Sequence, residues 1–448
     1  MNTKLNSLLV KSIVVGALGG LLFGFDTAVI AGTTQQLSQV FSLTAKELGF
    51  TVSIALLGTI IGAMFSGIMG DKLGGRESLR ILAGCYIISA LGCAFAWSWP
   101  SLLIFRFIGG LGIGGSSVLG PVYIAEIAPA RWRGLLVGSF QINIVIGILV
   151  AYLSNYLIGL AGFGLNEWRW QLGIAAAPAI LFLIMLFGIP RSARWLVTQY
   201  RIPEARQVLE KLGSDDPQGE LDQIVASVHV HTEDAPHSEP LFQRKYWLPI
   251  YLAFTVAAFN QLAGINAILY YLNYIFAMAG FNKVSGDLQA VAVGAMNLLA
   301  TLVGMSLIDK LGRKTLLLIG AVGMTLCLSG VAVIFFSHQH QGLLVWFLVA
   351  YIAFFAISQG AVIWVYLSEV FPNRVRSKGQ SLGSSTHWIM NFAISLVFPY
   401  FAVRFGGGYP FVFFAAMMAL MFFVVLFTFP ETKGVTLEQM QRKLGIEY

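Results

Sequence analysis

The chain alternates long apolar stretches with short polar ones, and the apolar stretches have the length of a bilayer crossing. They fall near 11–33, 49–69, 79–99, 101–126, 135–160 and 169–189. After a polar interval at 191–245 they resume near 246–279, 288–308, 315–337, 342–367, 379–403 and 409–429. Each predicts a helix, because about 20 apolar residues span a hydrocarbon core roughly 30 Å thick and satisfy their backbone internally. Twelve spans follow, six on each side of one hydrophilic interval. Within the interval, 192–200 and 203–212 read as short amphipathic helices, with Pro203 suited to a first helical turn. The segment 213–240 is acidic, contains Ser, Pro and His, and reads as loop.

Composition agrees with a polytopic membrane protein and excludes a soluble one: 57% of the 448 residues are hydrophobic and 11% charged. The net charge of +7 changes meaning once it is placed along the chain. With the N-terminus cytoplasmic, the outer loops and outer helix ends hold only Lys46, Arg106, Arg169, Lys283 and Arg404. All other Lys and Arg fall inside, so both termini and the interval are expected in the cytoplasm, and the charge is a topology signal rather than a nucleic-acid footprint. The basic N-terminus (Lys4, Lys11) runs straight into the first span, which reads as a retained helix rather than a cleaved leader. Cys85, Cys93 and Cys327 all lie in apolar runs and suggest neither a disulfide framework nor a metal cluster. His229, His231 and His237 beside Glu233 and Asp234 match no closed ligand set. Arg106-Phe-Ile-Gly-Gly110-Leu-Gly-Ile-Gly114-Gly115 follows no strand and sits in a span, so it is a helix-packing stretch, not a dinucleotide loop. No metal or cofactor is expected, and neither an ATP-driven pump nor a membrane enzyme.

One acid stands deep in the first span. Asp26, within Gly16–Gly32, costs roughly 2.5–3.5 kcal/mol if ionised at a helix centre, so it should face a cavity or a cation. Arg106 is the expected partner: Asp26 lies about 7 residues, roughly 10 Å, from the outer end of its helix, and Arg106 a comparable depth from the outer start of its own. Burial and a neighbouring cation shift a carboxyl in opposite senses, so an Asp whose Arg contact changes between conformations alternates its affinity for a proton. A structural, helix-packing role for Asp26 is the competing reading.

The two halves repeat each other. Asp71-Lys-Leu-Gly74 recurs as Asp309-Lys-Leu-Gly312, and Tyr123, Glu126, Pro129, Arg131 and Arg133 recur at one offset as Tyr366, Glu369, Pro372, Arg374 and Arg376. Parallel six-helix repeats are the plan of major facilitator transporters, in which the substrate binds between the halves near the midplane. The expected divisions are 1–190 and 246–430 as six-helix bundles, 191–245 as a cytoplasmic linker and 431–448 as a cytoplasmic tail.

Along essentially its whole length the chain resembles the sugar porter family of the major facilitator superfamily, bacterial proton-coupled xylose and hexose symporters above all. The stretches that carry the resemblance are GGLLFGFDTAVI (19–30), RFIGG (106–110), PVYIAEIAP (121–129) with RG (133–134), QLAGINAILYY (261–271), DKLGRK (309–314), LSEVFPNRVR (367–376) and PETKG (430–434). A free sugar, with dense hydroxyls and one apolar face, calls for amides and aromatic rings, and the spans supply both. The resemblance implies sugar contacts at Gln141, Gln261, Asn266, Asn297, Trp364 and Trp388, to which Phe23, Asn260, Tyr270, His387 and Asn391 add further amide, ring and imidazole groups. Asn260 stands where relatives commonly have Gln, and His387 where they have Asn or Gln; His387 also titrates near neutral pH when unperturbed. It further implies proton coupling at Asp26 and Arg106, since facilitative relatives commonly have Asn at the first position. A cytoplasmic gate is implied at Asp71, Arg76, Glu126, Arg133, Asp309, Arg313, Glu369 and Arg376.

Two departures touch that gate: Gly75 precedes Arg76 where relatives have Arg-Arg, and Arg191 follows Pro190 where they have Glu. Both suggest a weaker gate in the N-terminal half. The expected activity is uptake of a monosaccharide, D-glucose or another hexose or D-xylose, with a proton, by a monomer in the cell membrane. A proton-independent uniporter and a non-transporting sugar sensor are the alternatives.

Overall fold

The computed structural model describes residues 6–129, 131–233, 240–372, 375–435 and 437–446, and among them twelve helices are long and apolar enough to cross a membrane. We number them α1 (Ser7–Gly32), α2 (Ala45–Leu73), α3 (Gly75–Ala94), α4 (Trp99–Ile127), α5 (Arg133–Ala161) and α6 (Gly164–Leu186) in the first half. The second half supplies α7 (Arg244–Tyr270), α8 (Lys283–Leu311), α9 (Arg313–Ser337), α10 (Gln341–Glu369), α11 (Arg376–Phe405) and α12 (Tyr409–Thr428).

By packing, the chain forms two compact units. The first comprises Met1–Val29, Ile54–Ala151 and Trp168–His237; the second comprises Ile30–Ser53, Tyr152–Glu167 and Ser238–Tyr448. The helices α1, α2 and α5 therefore run from one unit into the other, because their far ends pack among second-half helices.

In the first unit, glycine sets the helix spacing. A Cβ on Gly58 or Gly62 of α2, or on Gly110 or Gly114 of α4, would overlap a carbonyl oxygen of the facing helix, and the same holds for Gly24 against Ile144 and Gly147 against Leu21. Close backbone approach replaces the hydrophobic effect, which lipid does not supply between apolar helices.

In the second unit two helices are interrupted. Helix α7 breaks at Gly264, whose φ of +81° suits glycine and where a Cβ would overlap the Phe414 ring. The chain resumes as Ile265–Tyr270 and, after Tyr271, as the short helix Leu272–Met278. Helix α10 contains a π turn at Ala356–Gly360. Irregular backbone is tolerated at membrane depth only where protein covers it, and Ala263, Ile265 and residues 267–271 around the α7 break are buried. The carbonyls of Ala263 and Leu269 accept the buried hydroxyls of Tyr351 at 2.7 Å and Tyr152 at 2.8 Å.

The interval differs from expectation in one respect. Ala193–Thr198 and Ile202–Leu212 are the two anticipated helices, but Pro217–Glu233, expected as loop, is a third. The Asp216 carboxylate accepts from the Gly219 N–H at the helix start. Leu221, Ile224 and Val225 pack on the cluster of Leu196, Ala205 and Leu209, a helical spacing that the acidic composition masked. Of the three histidines weighed as ligands, His237 and the side chains of His229 and His231 lie outside the described residues.

Replacing Gly114 by Ala should lower the thermal unfolding midpoint in detergent, at an overpacking cost of about 1–3 kcal/mol. Gly84→Ala, where a Cβ meets nothing within 4 Å, should leave the midpoint unchanged or higher. Equal effects would mean that the α2–α4 contact does not set the spacing.

Candidate functional site

Asp26 and Arg106 meet inside the first unit, as the depth count predicted. One Oδ2 to Nη1 distance is 3.9 Å, and the side chains are 13% and 4% exposed. The pair is loose: neither Asp26 Oδ2 nor Arg106 Nε has a hydrogen-bond partner. Gly109 leaves the space beside them, since a Cβ there would overlap the Ser89 hydroxyl and lie 3.6 Å from Asp26 Oδ2.

The amides and rings of the second half converge around the breaks in α7 and α10. Gln261 donates to Asn260 Oδ1 at 3.0 Å and accepts from Asn266 Nδ2 at 3.0 Å. Its Nε2 also lies 3.2 Å from Nδ1 and 3.3 Å from Nε2 of His387, so the imidazole accepts where a neutral ring nitrogen faces it. The His387 ring packs between Trp364 and Trp388, with both centroids 5.2 Å away. Deeper in the cluster Asn391 donates to the Tyr270 hydroxyl at 3.2 Å and accepts from Ser395 at 3.2 Å. Asn297 is buried on α8, and Trp364 is exposed. Phe23 and Gln141 belong to the first unit and are half-buried there. Two groups here escaped sequence reasoning. Gln359, in the π turn, accepts from Asn260 through its carbonyl at 3.5 Å, and Ser395 takes the Tyr271 hydroxyl on its carbonyl at 2.9 Å. Gln359 had the same signal as the others, an amide within an apolar run.

At the Gly74 and Gly312 turns the repeat is structural as well as sequential. Tyr123 donates to the Pro190 carbonyl at 2.8 Å, and Tyr366 to the Pro430 carbonyl at 3.4 Å. The Ser192 hydroxyl faces Glu126, as the Thr432 hydroxyl donates to Glu369 at 2.6 Å. In the second half Arg313 makes paired bonds to Glu369, at 3.1 and 2.8 Å, and a bond to Asp309 at 2.9 Å. Glu431 collects four backbone N–H groups, from Arg313, Lys314, Thr432 and Lys433, at 2.9–3.0 Å.

In the first half Gly75 and Arg191 stand at the positions of Arg313 and Glu431. There the acid comes from Glu77, which the sequence reading passed over. It binds Arg76 at 2.6 Å, Arg80 at 2.7 Å and Arg191 at 3.3 Å. The charge order is thus reversed while a cluster is kept. Asp71 is exposed and receives the Trp195 indole N–H on its backbone carbonyl at 3.0 Å. Arg133 is exposed, with one 3.5 Å bond to the Ala128 carbonyl, and Arg376 is half-buried at the start of α11.

The twelve spanning helices among the described residues, with a repeated turn between the second and third helix of each half, define a multi-pass membrane protein of the major facilitator type. The model of the family described as "Sugar (and other) transporter" matches residues 12–444, and the chain belongs to that family. It is 34% identical over 478 residues to the D-xylose-proton symporter of Escherichia coli (strain K12), covering 98% of this chain and 97% of that one. It is 36% identical over 449 residues to a glucose transport protein of Synechocystis, covering 95% of both. Among solved structures, the inward open conformation of the xylose transporter XylE from E. coli matches with a TM-score of 0.87 at 32% identity, over 97% of this chain and 99% of that one.

Burial pushes the Glu431 carboxyl up, but the four N–H donors hold it below its ordinary value. Its contribution is therefore present above about pH 4.5 and lost as pH falls through the lower folded value. Glu431→Gln should cost about 1 kcal/mol of stability. The gap from the parent, read from thermal midpoints, should be constant between about pH 8 and 5 and close progressively as pH falls below about 4.5.

Proposed function

We propose that the protein carries a monosaccharide, D-glucose or another hexose or D-xylose, into the cell together with a proton, by alternating access. The observation that carries this reading is the loose Asp26–Arg106 pair, largely enclosed within the span with one carboxylate oxygen unpartnered. Arg106 stabilises the charged carboxyl only as far as their separation allows, so a change in that separation changes the affinity for a proton. A driving force of about 150 mV supplies roughly 3.5 kcal/mol per charge, enough for a few-hundred-fold accumulation. The names of the relatives, a D-xylose-proton symporter and a glucose transport protein, support the same substrate class.

In this reading Asn260, Gln261, Asn266, Tyr270, Asn297, Trp364, His387, Trp388 and Asn391 take the sugar, exchanging bonds among themselves for bonds to hydroxyls. Phe23 and Gln141 keep the assignment that the family resemblance gives them. The clusters around Asp71, Arg76, Glu126 and Arg133, and around Asp309, Arg313, Glu369 and Arg376, act as a gate on the cytoplasmic face. That face carries both termini, segments 191–245 and 431–448 flank the bundles 1–190 and 246–430 there, and the protein works as a monomer in the cell membrane.

The test is uptake of labelled glucose and xylose into proteoliposomes with and without an inward proton gradient. Asp26→Asn should abolish gradient-driven accumulation and retain sugar exchange. Gradient-independent equilibration in both proteins would make this a uniporter and Asp26 structural, and no uptake of any sugar would overturn the substrate class. Gln261→Leu, which removes the centre of the amide network, should reduce uptake at low sugar concentration at least about tenfold, equivalent to one or two lost hydrogen bonds.

A further inference from the structure

Another acid, in the second unit, lies outside everything described so far. Asp287, in the first turns of α8, is fully buried. One of its oxygens accepts from Asn273 Nδ2, and the other, Oδ2, has no partner. The Oδ1 of Asn273 is also unpartnered, although that residue is only 7% exposed.

The charged groups around Asp287 do not neutralise it. Lys283, one turn earlier on α8, is committed to Glu167, a second buried carboxylate at the start of α6. Both acids converge on Gly159 of α5: a Cβ there would lie 2.9 Å from Asp287 Oδ2 and 3.5 Å from Glu167 Oε1. Two carboxylates thus share one ammonium. The other titratable groups on the packed elements are Tyr274 of the Leu272–Met278 helix, Tyr152 and Tyr156 of α5, Cys327 of α9 and Tyr351 and Tyr366 of α10. The remaining charged groups of these elements are engaged elsewhere or lie at the opposite helix ends: Arg169 of α6 donates to the Ala94 and Ala96 carbonyls, Asp309 of α8 and Glu369 of α10 bind Arg313, Lys310 stands beside Asp309, and Arg133 starts α5. Arg313 and Lys314 of α9 lie at the other end of α8.

We propose that Asp287 is a second proton-binding site, whose proton latches the Leu272–Met278 helix onto α8. A carboxyl facing a carboxamide forms two bonds: the amide N–H donates to one acid oxygen and the acid O–H to the amide oxygen. One proton on Oδ2 therefore removes an unpaired buried charge and serves the two orphaned oxygens of the pair together. The helix so held is separable in the chain, being set off from α7 by the turn at Tyr271 and the break at Gly264. It packs against Ile30–Gly32, the far end of α1, and against the short helix Thr34–Val40 that follows. A pocket lined by Gln35, Asn273, Phe281 and Lys283 reaches this place. On the orientation given under Proposed function, on which the inference rests, this is the outer face, and the proton comes from and returns to the outside.

The latched state binds the proton more tightly than a state in which the carboxyl is hydrated. It is favoured at low external pH and lost as that pH rises. The experiment uses intact cells carrying Thr34→Cys, a fully buried position on the short helix that packs against the latched one, and a membrane-impermeant maleimide at external pH 5.5 and 8. Rates are taken relative to the same reporter with Asp287→Asn, which cannot ionise and shares the ionisation of the reporter thiol. The relative rate should rise at least about threefold from the lower to the higher pH. Asn273→Leu, which removes the carboxamide but keeps the acid, should label readily at both values. A relative rate that does not change with pH would overturn the proposal, as would a parental profile in Asn273→Leu. Labelling confined to inside-out vesicles would overturn the orientation and the proposal with it, whereas uncoupled sugar transport with the pH profile intact would leave the latch standing and remove only the coupling role of Asp26.

Discussion

Hydrocarbon offers no partner to a hydrogen-bonding group, and the structure follows from meeting that condition inside the chain. Regular helices meet it for most of the backbone. Where α7 and α10 break, the breaks are buried, and tyrosine hydroxyls serve the carbonyls of Ala263 and Leu269. Because lipid gives apolar helices no reason to associate, contact between backbones has to come from glycine, and the α2–α4 and α1–α5 crossings use it at successive turns. Charges in the interior are few for the same reason. Each of Asp26, Asp287 and Glu167 stands beside a cation or an amide donor.

The repeated halves show what that condition leaves free. The tyrosine-to-proline-carbonyl bond and the hydroxyl facing a glutamate recur in both. The identity of the charged groups does not. The second half places an acid, Glu431, on the N–H groups at the start of α9, where the helix dipole favours a negative charge. The first half has a base there, Arg191, and recruits Glu77 from within the next helix to meet it. The same turn is thus held by opposite charge orders, because a cluster at a helix end needs balance more than a particular polarity.

The amide cluster of the second half behaves differently from an ion pair. Amides donate and accept through one planar group, so Gln261 serves Asn260, Asn266 and His387 at once. His387 fits this economy only as an acceptor towards Gln261, and its position between Trp364 and Trp388 couples the polar network to the rings.

Much of this was legible in the sequence, for a physical reason. Bilayer thickness imposes run lengths, and the cost of stray charge isolates Asp26 and Arg106, so spans, repeat and pair could be read by counting. The amides of α7 and α11 were legible as polar residues in apolar runs. Tertiary structure alone decided what those residues touch. The capture of Arg191 by Glu77, the bond from Asn260 to Gln359 in a π turn, the cap that Glu431 makes on α9 and the shared place of Asp287 and Glu167 all join residues distant in sequence or on different helices. The third helix of the interval was hidden because its apolar face, at Leu221, Ile224 and Val225, gains meaning only against Leu196 and Leu209. Local pattern reports what the solvent demands of each residue, whereas a partner on another helix is fixed only when the helices pack.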